Sequence, residues 1–210
     1  MTRPTGGGPP VLVLMGVSGC GKSTVARLLS RELGWDFAEG DRMHPPPNVA
    51  KMAAGRPLDD ADRWPWLVRV ADWIHAHTAQ GCPAIVTCSA LKRRYRDVLR
   101  GDRVVFVYLS GTKEQIALRV AARHGHFMPA ALLDSQFADL EPPGGDEDAI
   151  TVGIAGPPAQ QAREIMSTLG LAQVPSGAAG RPQASASGGK PSSSDLMTQS
   201  APPSRSCWTL

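Results

Sequence analysis

One eight-residue motif constrains the fold more than anything else in the chain. Gly16-Val17-Ser18-Gly19-Cys20-Gly21-Lys22-Ser23 satisfies the pattern G-x-x-x-x-G-K-[ST]. It follows the unbroken apolar run Val11 to Met15, the signature of a strand buried on both faces of a parallel sheet. Beyond it, Val25, Leu28, Leu29 and Leu33 recur at helical spacing, and Gly34 supplies a C-terminal stop. Strand, glycine-rich loop and helix, in that order, are the context in which the motif binds phosphate. The glycines let successive main-chain N–H groups turn toward one anion, and the helix N-terminus adds roughly half a positive charge. Lys22 is expected to reach the β- and γ-phosphates and Ser23 to give one oxygen to Mg²⁺, so ATP and Mg²⁺ are the implied cofactors.

The alternation begun there continues along the chain. A short strand is predicted at Asp36 to Ala38, a helix at Ala61 to Thr78, a strand at Ala84 to Cys88 and a short helix at Lys92 to Leu99. Pro65 fits such a helix only near its start. Next come the strand Val104 to Leu109, a helix opened by the capping-box form Thr112-Lys113-Glu114-Gln115, and a helix at Pro129 to Leu140. A strand near Ala149 to Val152 and a helix near Ala159 to Leu169 close the pattern. Strands that alternate with helices imply a parallel sheet covered on both faces, hence a three-layer α/β/α fold.

Composition bounds the rest. Residues 1–10 read as a flexible N-terminus, 11–172 as one domain and 173–210 as a tail whose Pro, Ser, Gly, Ala and Gln cannot bury enough apolar surface to offset the entropy of ordering. No apolar run reaches the roughly 18 residues needed to cross a bilayer, and nothing at the start resembles a signal peptide, so a cytoplasmic chain with no membrane partner is expected. A net charge of +3 is too small to argue for nucleic acid. Cys20, Cys82, Cys88 and Cys207 lack metal-type spacing and are expected to be free thiols. Cys20 lies inside the phosphate loop, where it is either a redox-sensitive thiol or simply a small side chain. Cys207-Trp208-Thr209-Leu210 has the bare frame of a prenylation signal, with poor residues at the aliphatic positions.

Among phosphate-loop proteins, a GTPase is disfavoured, because neither N-K-x-D nor D-x-x-G occurs. The strand Ala84 to Cys88 carries no terminal Asp, leaving the metal to Ser23, the nucleotide and an acid such as Asp41. The segments Gly16 to Thr24, Gly40-Asp41-Arg42-Met43-His44-Pro45, Asn48 with Lys51-Met52 and Pro57 to Arg63 with Pro65-Trp66-Leu67 form a specific set. With them go Cys88 to Lys92 with Tyr95-Arg96-Asp97, Gly125-His126-Phe127-Met128, Gln136-Phe137 and Leu140-Glu141-Pro142. Together, in order and over nearly all of residues 10–170, they resemble the thermoresistant gluconokinase family. The resemblance implies a mainly five-stranded P-loop kinase with a lid, related in fold to shikimate and nucleoside monophosphate kinases. It implies ATP-dependent phosphorylation of D-gluconate on its 6-hydroxyl, and a homodimer. A shikimate-kinase-like enzyme and an inactive nucleotide-binding module are the competing readings.

Candidate site residues follow from both lines. Gly16, Val17, Ser18, Gly19, Cys20, Gly21, Lys22, Ser23 and Thr24 form the nucleotide set. Asp41, just after the second strand, either accepts or orients the attacking hydroxyl or is a turn aspartate. His44 either donates to a sugar hydroxyl or closes the bend before Pro45-Pro46-Pro47. Arg63 offers a planar fork for a substrate carboxylate, while the acidic run Asp59, Asp60 and Asp62 reads as a helix first turn. Ser89 and Lys92 follow the third strand on the same sheet edge, with Lys92 alternatively a solvated lysine. Arg119 and Arg123 share a helix face, Arg123 being the candidate for neutralising the transferring phosphoryl group unless that face is merely solvated. His126 in the lid and Gln136 beyond it complete the substrate-side set.

Overall fold

A computed structural model of the chain describes residues 8–121 and 130–172. Five parallel strands form one sheet in the order β2-β3-β1-β4-β5: β1 Val11–Met15, β2 Asp36–Glu39, β3 Ala84–Thr87, β4 Val104–Ser110 and β5 Ala149–Gly153. β1 pairs with β3 on one side and β4 on the other, and all five of its residues are buried. Its side chains alternate between the two faces. Leu12 and Leu14 join the apolar cluster that holds Val25, Leu29, Ile116 and Ile165. Val11, Val13 and Met15 join the one that holds Trp66, Leu67, Val70 and Ile74. The two clusters are the cores of the two outer layers.

The helices are α1 Lys22–Leu33, α2 Pro46–Ala53, α3 Asp60–Ala79, α4 Arg93–Leu99, α5 Lys113–Ala121, α6 Ala130–Asp139 and α7 Pro158–Leu169. α3 opens on a reciprocal capping box: the Asp62 N–H donates to Asp59 Oδ1 and the Asp59 N–H to Asp62 Oδ2, each at 2.9 Å. The acidic run is therefore a helix start, as its sequence suggested. At α5 the expected pair is also present, the Thr112 N–H donating to Gln115 Oε1 at 3.0 Å and the Gln115 N–H to Thr112 Oγ1 at 3.3 Å.

Two local expectations need correcting. Pro45-Pro46-Pro47 is more than a bend: Pro45 is the N-cap of α2 and Pro46 and Pro47 form its first turn, where a missing N–H breaks no helical hydrogen bond. Pro65 lies inside α3 beyond its first turn, where it leaves the Ala61 carbonyl without its usual donor. Cys20 and Cys88 are free and buried, as expected. Among the described residues, no helix is long and apolar enough to cross a membrane.

Gly40, which begins the 3₁₀ turn Gly40–Met43, shows how tightly β2 meets β3 at the sheet edge. A Cβ built on it would lie 2.0 Å from the Thr87 carbonyl oxygen. Its N–H faces Thr87 Oγ1 at 3.3 Å, and its carbonyl accepts from Trp66 Nε1 at 2.7 Å. Gly40→Ala should force these backbones apart at a cost of about 1–3 kcal/mol and lower the melting temperature by several degrees, as read in thermal unfolding.

Candidate active site

The loop between β1 and α1 has the geometry its sequence requires. Gly16, Gly19 and Gly21 adopt φ of +132°, +87° and +109°, values that side chains disfavour. A Cβ on Gly16 would also meet the Leu109 carbonyl at 2.9 Å. Lys22 Nζ donates to the carbonyls of Gly16 (2.9 Å) and Val17 (3.0 Å), so the cation is folded against the loop. The Ser18 N–H donates to Gln136 Oε1 at 2.6 Å, putting an acceptor oxygen on one of the loop's amides. Arg119 holds the loop from outside, donating to the Cys20 carbonyl at 3.2 Å and to the carbonyls of Ile154 and Gly156 after β5. Cys20 is fully buried. Arg123 and His126 lie outside the described residues.

An acid that sequence reasoning missed completes this half. Glu39, the last residue of β2, accepts from Ser23 Oγ at 2.7 Å, from Thr87 Oγ1 at 3.0 Å and from Arg27 Nη2 at 2.6 Å. Register produces the cluster, since Glu39 and Thr87 are direct partners across β2 and β3. The available signal was its position at a strand's C-terminal end, where ligands of open α/β sheets bind. Asp41 follows two residues later; its side chain is exposed and makes no hydrogen bond or ion pair among the described residues.

The substrate-side candidates converge on Tyr95. Arg63 Nη1 donates to Tyr95 Oη at 2.9 Å and to Asp139 Oδ2 at 3.3 Å. Lys92 Nζ lies 3.1 Å from Asp139 Oδ1 and 3.3 Å from Asp60 Oδ1. Tyr95 Oη and Arg94 both donate to Asp60. Burial opposes the charge on Arg63, but its contacts with Tyr95 and Asp139 prevail and raise its pKa. Lys92 is raised by the same contest, with burial against it and Asp139 chief among the groups that outweigh burial. Arg63 and Lys92 thus already grip a carboxylate, and Lys92 is no free surface lysine. Ser89 joins the halves, its carbonyl accepting from the Gly16 N–H at 3.2 Å.

His44 stacks on Trp66 with ring centroids 4.3 Å apart, and its Nδ1 lies 3.3 Å from Asn48 Nδ2. Asn48 is buried and donates to the Asp62 carbonyl at 2.7 Å, tying α2 to α3. Burial holds the His44 pKa below 6.5, against the pull of Asp41.

Behind the site, Arg96 is 1% exposed and fixes the loop that carries Ser89 and Lys92. Its Nη1 donates to the carbonyls of Ala90 (3.2 Å), Leu91 (3.2 Å) and Glu141 (2.9 Å), and its Nη2 to Glu147 Oε1 (2.9 Å). Ala90 has φ of +41°, the one positive value at a non-glycine among the described residues. Arg96 therefore secures a strained turn at the sheet edge.

A glycine-rich phosphate loop that leaves the edge of a parallel sheet and opens a helix with Lys22 and Ser23 is the arrangement of a P-loop phosphotransferase. Residues 11–143 match the AAA domain family. The chain is 54% identical over 146 residues to the gluconokinase of Gluconobacter oxydans (strain 621H), covering 69% of this chain and 82% of that one. It is 44% identical over 150 residues to the thermoresistant gluconokinase of Escherichia coli (strain K12), covering 70% and 86%. The crystal structure of a gluconokinase from Sinorhizobium meliloti 1021 superposes with a TM-score of 0.72 at 43% identity, covering 77% of this chain and 92% of that one. The chain belongs to the gluconokinase family.

Two outcomes follow from the site's buried groups. Arg96→Ala strands the Glu147 carboxylate and should reduce the unfolding free energy by about 3–5 kcal/mol in urea denaturation. The unfolded chain takes up a proton on His44 below its ordinary pKa of 6.5, whereas the folded chain does so only at lower pH. The stability this contributes is complete above 6.5 and is lost as the pH falls through the folded-state value. His44→Gln should therefore show a smaller stability loss than the parent between pH 7.5 and pH 5.5, both set by the buffers.

Proposed function

We propose that this chain transfers the γ-phosphoryl group of ATP to the 6-hydroxyl of D-gluconate, releasing ADP and 6-phospho-D-gluconate for the pentose phosphate route. The observation that carries the reading is the Arg63–Lys92 pair gripping the Asp139 carboxylate, on a helix whose Gln136 touches the phosphate loop. Gln136 and Asp139 are three residues apart, so their Cβ atoms are about 5–6 Å apart. One helix therefore contacts both the phosphate loop and the Arg63–Lys92 cation pair, which suits a molecule that carries an acid group and a phosphorylatable hydroxyl.

The residues present fit the implied cofactors. An oxygen acceptor already satisfies the Ser18 amide, and the three left-handed glycines keep the cradle free of side chains. Ser23 and Glu39 offer the hard oxygen ligands Mg²⁺ prefers, Ser23 directly and Glu39 directly or through water. When bound, Mg²⁺ and ATP supply the activated phosphoryl group and part of the charge neutralisation.

The chain's own residues do the rest. Lys22 swings from the Gly16 and Val17 carbonyls to the phosphates, where it balances charge that builds in the transition state. Arg63 and Lys92 hold the sugar acid's carboxylate and so fix which hydroxyl faces the nucleotide. Asp41, exposed at the sheet edge, orients that hydroxyl and takes its proton. His44, kept neutral by burial, presents a hydrogen-bonding nitrogen to the polyol, and Ser89 adds a polar wall. Arg119 steadies the phosphate loop through the Cys20 carbonyl.

A coupled assay of ADP release over gluconate, shikimate and nucleoside monophosphates tests the assignment. Turnover should be confined to gluconate, and activity on shikimate alone would refute it. Lys22→Ala should abolish turnover with the fold intact. Arg63→Ala should raise KM for gluconate far more than KM for ATP, and unchanged kinetics would remove Arg63 from the substrate site.

A further inference from the structure

Two contacts of α6 lie at the two ends of the site. Gln136 Oε1 accepts from the Ser18 N–H of the phosphate loop at 2.6 Å. One helical step away, the Asp139 carboxylate lies 3.3 Å from Arg63 Nη1 and 3.1 Å from Lys92 Nζ. Residues three apart share a helix face, so one face of one helix reaches both places. At each place its oxygen has the chemistry of a ligand oxygen: a neutral acceptor on a phosphate-loop amide, and a carboxylate between two cations.

The charges around Tyr95 sharpen the second contact. Arg63, Lys92 and Arg94 carry three positive charges, and Asp60 and Asp139 carry two negative ones. A monoanionic sugar acid that replaces Asp139 keeps the local balance unchanged, charge for charge. A neutral polyol replaces nothing, and if Asp139 withdraws it leaves the partly desolvated Arg63 without its carboxylate and Lys92 with Asp60 alone. The exchange is therefore open to acids and closed to neutral sugars.

We propose that α6 is an internal competitor for both ligands, with Gln136 standing in for a phosphate oxygen and Asp139 for the sugar acid's carboxylate. Because both side chains ride on one helix, a ligand that displaces either contact weakens the other. Nucleotide and sugar acid then bind with positive coupling, each helped by the other, although they share no atom of the site. The proposal rests on the gluconate kinase reading for the identity of the second ligand, but its nucleotide arm stands without it.

The test is a cross-effect that a purely local role does not produce. Dissociation constants are measured by calorimetry for a non-hydrolysable ATP analogue with Mg²⁺, and for gluconate, each alone and with the other saturating. In the parent, saturating analogue should tighten gluconate binding by a factor in the usual range for coupled sites, about 5- to 150-fold. Asp139→Asn removes the ion pairs from the sugar end and should tighten binding of the analogue alone by about fivefold, at a site Asp139 does not touch. Gln136→Ala, at the phosphate end, should likewise tighten gluconate binding. In both variants the coupling factor should fall toward one. Asp139→Ala serves as a second variant, and thermal melts establish that each protein is folded. Analogue affinity unchanged or weakened in both Asp139 variants overturns the proposal, as does gluconate affinity unchanged or weakened in Gln136→Ala. Absence of gluconate binding in the parent, with the Asp139→Asn effect on the analogue intact, would instead refute the substrate reading and leave the internal competitor standing.

Discussion

Everything in the site depends on β1 being paired on both sides. Hydrogen-bonded to β3 and β4 at once, and buried over all five residues, this strand cannot shift without breaking two ladders. Its C-terminal end is thus firmly held, and the phosphate loop leaves from there. The neighbouring strands end at the same edge because their registers align, so the loops after β2 and β3 are delivered beside it without further design. The Gly16 N–H to Ser89 carbonyl bond then joins two of these loops directly. Parallel pairing therefore collects onto one edge residues as far apart in the chain as Gly16 and Ser89.

The parts of this arrangement that were legible in the sequence are those written locally. The apolar run of β1, the glycine-rich loop, the helical spacing of α1, the acidic first turn of α3 and the capping box at α5 each rest on residues within a few positions of one another, and each is present. α2 was not legible, because three consecutive prolines signal a break when read from the C-terminal side and a helix start when read from the N-terminal side. In the fold, Asn48 ties the resulting helix to α3 through the Asp62 carbonyl, a contact no local pattern announces.

Glu39 and Asp139 mark a second limit. Each is a single acid with no local pattern, and each gains its meaning from register or from packing of distant elements. Glu39 meets Ser23 and Thr87 because β2 and β3 place it opposite Thr87. Asp139 meets Arg63 across 76 positions of sequence. The Arg63 that Asp139 meets was predictable as a carboxylate partner, since its planar fork carries the chemistry a carboxylate needs. Its present partner was not, because a charge balance is a property of the assembled cluster.

That balance also explains why the site can hold such exposed-type residues half-buried. Arg63 and Lys92 retain only 19% and 20% of their side-chain exposure, and partly buried cations without counter-ions are costly. Asp60 and Asp139 offset that cost in the ligand-free fold, and Tyr95 stabilises Asp60 by donating to it while presenting its ring to the three cations. A binding site made of unpaired cations would either shift its protonation or pull the loops apart. With the Asp139 carboxylate against them, Arg63 and Lys92 are neutralised within the fold itself, and the strained Ala90 turn nearby is pinned by Arg96. Preorganisation of this kind places the cost of charge burial in folding rather than in binding, which is where a small acidic substrate with few contacts can least offset it.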